Sequence, residues 1–400
     1  MIQKPLSSKV PLVAKGFHVI FFPYSIFFWA ILFTIFFSCR KEILYHPDVE
    51  EPTEPVTNTI QGFYLLNEGN MGSNKCTLDY FDYDSGKYHR NIYAYTNPTV
   101  PKELGDVGND IAIYGSKLYA VISCSNKVEV MDAYTAKRIG QVNIQNCRNI
   151  KFYNGFGYVT SFGGTVQQNP NYEQTGYVAK IDTATLQVLT QCFVGQQPDG
   201  LDIANNKIYV ANSGGYLTPN YENTVSVIDV ASFKELKRLV VASNLHRVCA
   251  DNYGNVWVSA RGDYFKKAPK LYCIDSKTDQ LTESVDIIVS NFHLDDDKLY
   301  IVGAGWNYHT MSNEINYGVV DVVSKQLITK KFITDGTDNK IEMPYGITVN
   351  PITKEIYVTD AKNYISPGTL YCFDKHGKHK WDVRTGDIPA YFTFCEKVRE

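Results

Sequence analysis

From residue 62 onward the chain alternates short apolar runs with clusters of Gly, Asn, Asp, Ser and Thr. The unit is plainest between Pro198 and Val241, where "GLDIA", "KIYVAN", "TVSVIDV" and "KELKRLVV" follow one another across Asn205-Asn206, a loop rich in Gly, Tyr and Asn, and the turn in "DVASFKE". Alternating runs bounded by turn formers predict a four-stranded antiparallel meander. One such sheet cannot cover both its faces. Repeated around a ring, each sheet covers its neighbours, which is the physical basis of a β-propeller.

Two markers count the repeats. An aromatic residue follows a polar turn in each second strand, at Tyr64, Tyr119, Tyr158, Tyr209, Trp257, Tyr300 and Tyr357. An aspartate ends each third strand, at Asp82, Asp132, Asp182, Asp229, Asp275, Asp321 and Asp374. Both series give seven at a period of about 45 to 50 residues, the spacing of propeller blades. The expected fold is all-β, a seven-bladed β-propeller over residues 61–400. The aspartates are assigned to turns, where an Asx side chain bonds the following amides. Blade one has no first strand before Gly62 and takes "KYHRNIYAYT" as its fourth, whereas an extra apolar run, "IPAYFTFCEK", follows blade seven. Ala390 to Cys395 are therefore expected to complete blade one, leaving no unpaired edge inside the ring.

The first 38 residues differ from the rest. Lys4, Lys9 and Lys15 precede "VIFFPYSIFFWAILFTIFFSC", a signal-peptide pattern whose end resembles a lipobox with Cys39 as the lipidated residue. Residues 39–60, acidic and proline-bearing, read as a tether. The expectation is an outer-membrane lipoprotein, at the cell surface or the periplasmic face, held to the membrane by its lipid alone. A net charge of -3 gives no electrostatic reason to expect nucleic acid.

The sequence carries no nucleophile elbow, zinc-protease helix, P-loop or dinucleotide fingerprint, and no C-x-x-C pair. No cofactor or metal is expected, and Asp295-Asp296-Asp297 read as a solvated turn. The eight cysteines after Cys39 read as buried free thiols, most lying within apolar strands. The chemistry that remains is recognition. Long second-to-third loops, expected on one face, combine Tyr or Trp with Asn, Gly or Lys, and one of them is expected to span Ala304 to Asn316. Tyr172, Tyr216, Tyr221, Tyr264, Trp306, Tyr308 and Tyr364 are expected to wall a small-molecule ligand. Asn109, Arg148, Asp199 and Arg247, at the entrances of first strands, are expected to bond it. Asn291, Tyr345 and Tyr391 share that rim, whose mixed polarity suits a neutral or zwitterionic ligand.

The blade pattern "KIYVANS…NTVSVIDVASFKELKRL" resembles the YncE-like seven-bladed propellers. "YLLNEGNMGSNKCTLDYFD", "ELGDVGNDIAIYGSKLYAV" and "MPYGITVNPITKEIYVTDAKNYISPGTLYCFDKHGKHKWDVRTGDIPAYFTF" resemble, more narrowly, exported lipoproteins of that group in Bacteroidota, across nearly all of Gly62 to Lys397. That resemblance implies work beside a TonB-dependent outer-membrane transporter. Through the related BtuG-type surface proteins, which capture cobalamin, it makes a corrinoid the leading candidate ligand. Two other classes stay open: a propeller enzyme, lactonase-like or quinone-dependent, and a protein-interaction platform.

Overall fold

The computed structural model describes residues 60–397 apart from 167, 170, 172–173 and 308–310. The expected signal peptide, Cys39, nearly all of the tether, Tyr172 and Tyr308 lie outside the described residues. Within them, seven four-stranded antiparallel sheets form the blades of a β-propeller. Blades two to seven occupy 108–143, 147–193, 198–240, 245–285, 291–329 and 344–387. Blade one takes Ile60–Asn67, Thr77–Asp82 and Lys87–His89, and its innermost strand is Pro389–Glu396. The closure read from the sequence is therefore present. Each inner strand packs beside those of the two neighbouring blades, so the ring is continuous.

The aromatic marker is the main packing device. Tyr64, Tyr119, Tyr158, Tyr209, Trp257 and Tyr357 are buried, and only Tyr300 is partly exposed. Each buried ring removes on the order of 150 Å² or more from water, which holds blade against blade. The aspartate marker behaves as a turn device in all seven blades. Asp182, for example, accepts from the amides of Ala184 and Thr185 at 2.8 Å each, and those bonds hold its carboxyl below the usual range. Equivalent bonds form at Asp82, Asp132, Asp229, Asp275, Asp321 and Asp374.

Two local expectations fail. The segment expected as blade one's fourth strand gives only the short strand Lys87–His89, and then a helix, Ile92–Thr96. Asn91 turns the chain through a left-handed conformation, φ 49°, while Asp79 accepts from its amide at 2.8 Å. That turn buries Tyr93, whose hydroxyl donates to Glu129 of blade two at 3.2 Å. Second, Ala304 to Asn316 are not a long loop. Lys298–Asn307 and Ser312–Asp321 stay paired to the tip of an extended hairpin, with Trp306 opposite Asn313. No Pro falls within either strand to break the ladder earlier.

Candidate functional site at the channel mouth

Six of the seven inner strands break register with their second strand at a bulge beside the entrance. In blade five, Leu245 pairs with Ala260 and Val248 with Val258, so the inner strand takes three steps against two. A bulge strands an amide, and in blades three, five and seven a hydroxyl on the second strand recovers it. Ser259 accepts from the Arg247 amide at 2.9 Å and Thr160 from the Asn149 amide at 3.0 Å. Thr359 accepts from Gly346 at 2.7 Å and donates to Pro389 of the next blade at 2.6 Å. In these three blades the mouth is built from irregular backbone whose freed amide is bonded, which places consecutive inner-strand residues at the channel entrance.

Below the rim, carboxylates and amides join blade to blade. Asp110 accepts from the amides of Ile111 and Ile150 at 2.9 Å each and from the Asn149 side chain at 2.6 Å. Burial pushes its carboxyl up to about 6. Asp202 accepts from the Ala250 amide at 3.0 Å and faces Lys151 at 3.3 Å. These groups are committed to holding the ring.

The rim itself holds three guanidinium groups. Arg148 donates to Asp199 through Nε at 3.0 Å and to Asn109 through Nη1 at 2.8 Å, and its head lies 4.7 Å from the Phe162 ring centroid. Arg261 reaches the other oxygen of Asp199 at 3.6 Å. Arg247 lies 4.9 Å from the Tyr391 ring centroid and donates to that hydroxyl at 3.0 Å, and its Nε has no partner. Tyr345 donates to Glu68 at 2.8 Å. Burial pushes the Glu68 carboxyl up, opposed by the Tyr345 bond and by Arg148, Arg247 and Arg261. Burial, then the same three arginines, push His246 well below its ordinary value, so its imidazole is neutral at pH 7.

A cavity of about 260 Å³ opens on the Glu68, Arg148 and Tyr345 side of this cluster, walled also by Met71, Tyr216 and Tyr364. Its aromatic walls are braced. Tyr345 and Tyr364 meet edge to face at 5.8 Å, and Tyr216 meets Phe162 at 6.3 Å. Glu68 is placed by its backbone, whose amide bonds Ile388 and whose carbonyl accepts from Gly108, so it sits between blades one and two. Gly69 must follow it: φ is 72°, and a Cβ there would lie 2.8 Å from the Lys75 carbonyl carbon.

Of the residues expected from sequence, Arg148, Tyr216 and Tyr364 line the cavity, and Asn109 and Asp199 bond Arg148 beside it. Arg247 belongs to the same cluster through its field on Glu68 and His246. Tyr221 and Tyr264 pair with each other at 6.3 Å without lining it. Trp306, 45 % exposed, stands on the blade six hairpin and does not line it either. Sequence reasoning missed Glu68 and Asn244; it put His246 and the loop beginning at Arg261 on the binding face without assigning either residue a ligand contact. For Glu68 a signal existed, since it lies in the "NEGN" stretch. Among the described residues, no group of three or more His, Cys, Asp or Glu side chains is placed to hold a metal ion.

Fold and rim together define a seven-bladed propeller with an arginine- and tyrosine-lined pocket at one end of its channel. The chain belongs to the family described as "Domain of unknown function (DUF5074)", which matches residues 61–394. No curated protein matches its sequence. Among solved structures it is similar to a quinonprotein alcohol dehydrogenase-like protein from Bacteroides thetaiotaomicron VPI-5482, at 15% identity and a TM-score of 0.53 over 84% of this chain and 79% of that one. It is also similar to the hydrazine synthase of Kuenenia stuttgartiensis, at 15% identity and a TM-score of 0.52 over 67% of this chain and 76% of that one. At such identities the likeness is one of fold.

Proposed function

We propose that the protein is a lipid-anchored cell-envelope binding propeller that captures a small molecule at its channel mouth and works beside a TonB-dependent outer-membrane transporter. The observation that supports capture is the cavity of about 260 Å³, where charged and aromatic side chains from separate blades converge. Apolar walls with a few converging polar groups are the usual make-up of a ligand pocket. The volume lies just under the usual range of about 300 to 1,000 Å³. A small ligand fits inside it, whereas a larger one would lie across the surrounding loops with one substituent in the mouth.

The resemblance to cobalamin-capturing surface proteins makes a corrinoid the first ligand to test, bound in that second manner. Isothermal titration with cyanocobalamin, on the wild type and on Tyr216→Ala with Tyr364→Ala, tests it. The reading expects binding that weakens about tenfold or more when both walls are removed, in line with about 1 kcal/mol or more for each lost aromatic contact. Absence of binding by the wild type removes the corrinoid, and binding indifferent to the double variant places the ligand elsewhere.

A further inference from the structure

The mouth has a polar asymmetry that the proposed capture does not yet use. Unpartnered buried polar atoms concentrate at the entrance of blade five. Asn244 is fully buried with neither amide atom bonded, the Nδ1 of His246 is unbonded at 9% exposure, and the Nε of Arg247 lacks a partner. Leaving such atoms unsatisfied is costly, so a run of them within four residues points to a missing partner. Gly215, on the blade four loop, comes close against them, with no side chain of its own in between. A Cβ there would sit 3.4 Å from both Arg261 Nη1 and Asn244 Oδ1.

Charge points the same way. Asp199 is shared by Arg148 and Arg261, and Glu68 is bonded to Tyr345, so Arg247 has a phenol where a carboxylate would ordinarily sit. Three guanidinium groups meet Asp199 and Glu68 at the rim, and the Asp110 carboxyl, in the field of Arg247, is already bonded to Ile111, Ile150 and Asn149, so Arg247 is hydrogen-bonded to no carboxylate. His246, held neutral, adds a hydrogen-bonding edge and no charge. Guanidinium forks favour planar, bidentate acceptors.

Resting on the capture reading, we propose that the ligand carries a carboxylate, and that this group docks on the blade five side of the mouth against Arg247, Arg261, Asn244 and His246. The aromatic walls of Tyr216, Tyr345 and Tyr364 then take the rest of a small ligand or its inserted substituent.

Benzoate, 4-hydroxybenzoate and 3-phenylpropionate, each paired with its primary amide, probe this by titration calorimetry and saturation-transfer NMR at low salt. Each carboxylate should bind about tenfold or more tighter than its amide, the discrimination expected of a charge-assisted pair. Arg247→Gln and Arg261→Gln should each erase most of that preference. Arg261, on a loop, keeps the test decisive if loss of the Tyr391 contact unfolds the Arg247 variant, which melting without ligand reveals. Equal binding of acid and amide, lost in Tyr216→Ala with Tyr364→Ala, overturns the carboxylate inference and leaves capture standing. Binding of neither probe overturns the inference, and binding that survives the double variant overturns the mouth as the site altogether.

Discussion

Ending the chain after Ile388 removes the strand Pro389–Glu396 and tests how the ring is held. That strand pairs with Ile60–Asn67 at seven positions. It buries Ala390, Tyr391 and Cys395, and Phe392 and Phe394 pack edge to face on Phe63 at 5.7 and 6.0 Å. At about 1 kcal/mol net per backbone bond and about 2 kcal/mol per large side chain, the loss is on the order of 10 kcal/mol. A whole domain has about 5–15 kcal/mol to lose. The truncation also bares the Ile60–Asn67 strand, with Phe63, Leu65 and Leu66 buried on it, as an apolar edge inside the ring. Circular dichroism melting with size-exclusion chromatography should show an unfolded or aggregated product. Tyr391→Phe keeps the strand and deletes only the bond to Arg247, so it should cost about 1–2 kcal/mol and serves as the control. A truncated protein melting within about 2 °C of the full chain would refute the argument, because even 1 kcal/mol shifts a large domain by about that much.

Three further outcomes follow from individual contacts. Burial holds His293 down to about 4, so its neutral ring stabilises the fold fully above about 6.5 and loses that contribution as pH falls toward 4. Urea denaturation of the wild type should lose about 2 kcal/mol relative to His293→Gln between pH 7 and pH 5, and an unchanged gap would show a ring that charges freely. The repeated tyrosine should not be equivalent from blade to blade: Tyr209 donates to Asp279 at 2.5 Å, whereas the buried hydroxyl of Tyr158 has no partner. Melting should place Tyr209→Phe about 1–2 kcal/mol below the wild type and Tyr158→Phe level with it or above. Gly200→Ala would set a Cβ 2.5 Å from the His246 carbonyl oxygen and 2.8 Å from the Val248 amide nitrogen. Neither backbone atom can yield cheaply, so a loss of about 1–3 kcal/mol is expected, and wild-type stability would show that blades four and five are not in such close contact.

The features legible in the sequence are those one strand can encode alone. Tyr209 and Trp257 announce themselves because each blade must bury a large ring at the same step, and Asp229 because its turn follows within three residues. Closure by Ala390 to Cys395 was legible as a surplus, one apolar run more than the blades needed. The helix Ile92–Thr96 was not legible, because "NIYAYT" is as good a strand as a helix until Asn91 turns and Glu129 of another blade receives Tyr93. The site divides the same way. Arg148 and Asp199 could be placed at strand entrances from the period. That Arg261 shares Asp199, or that Glu68 and Tyr345 face each other across 277 residues of chain, depends on which blades meet.

Closure and site are also mechanically one object. Arg247 of blade five bonds Tyr391 of the closing strand, a partner 144 residues away and on a blade that is not its neighbour. Tyr345 of blade seven bonds Glu68, which follows the strand Ile60–Asn67 of the neighbouring blade one. The first contact crosses the ring and the second joins neighbouring blades, with Tyr391, Tyr345 and Arg247 each in the others' field. Arg247 thereby couples the proposed docking to stability: a carboxylate held on it would steady the residue that ties blade five to the closing strand, and its binding would raise the melting temperature.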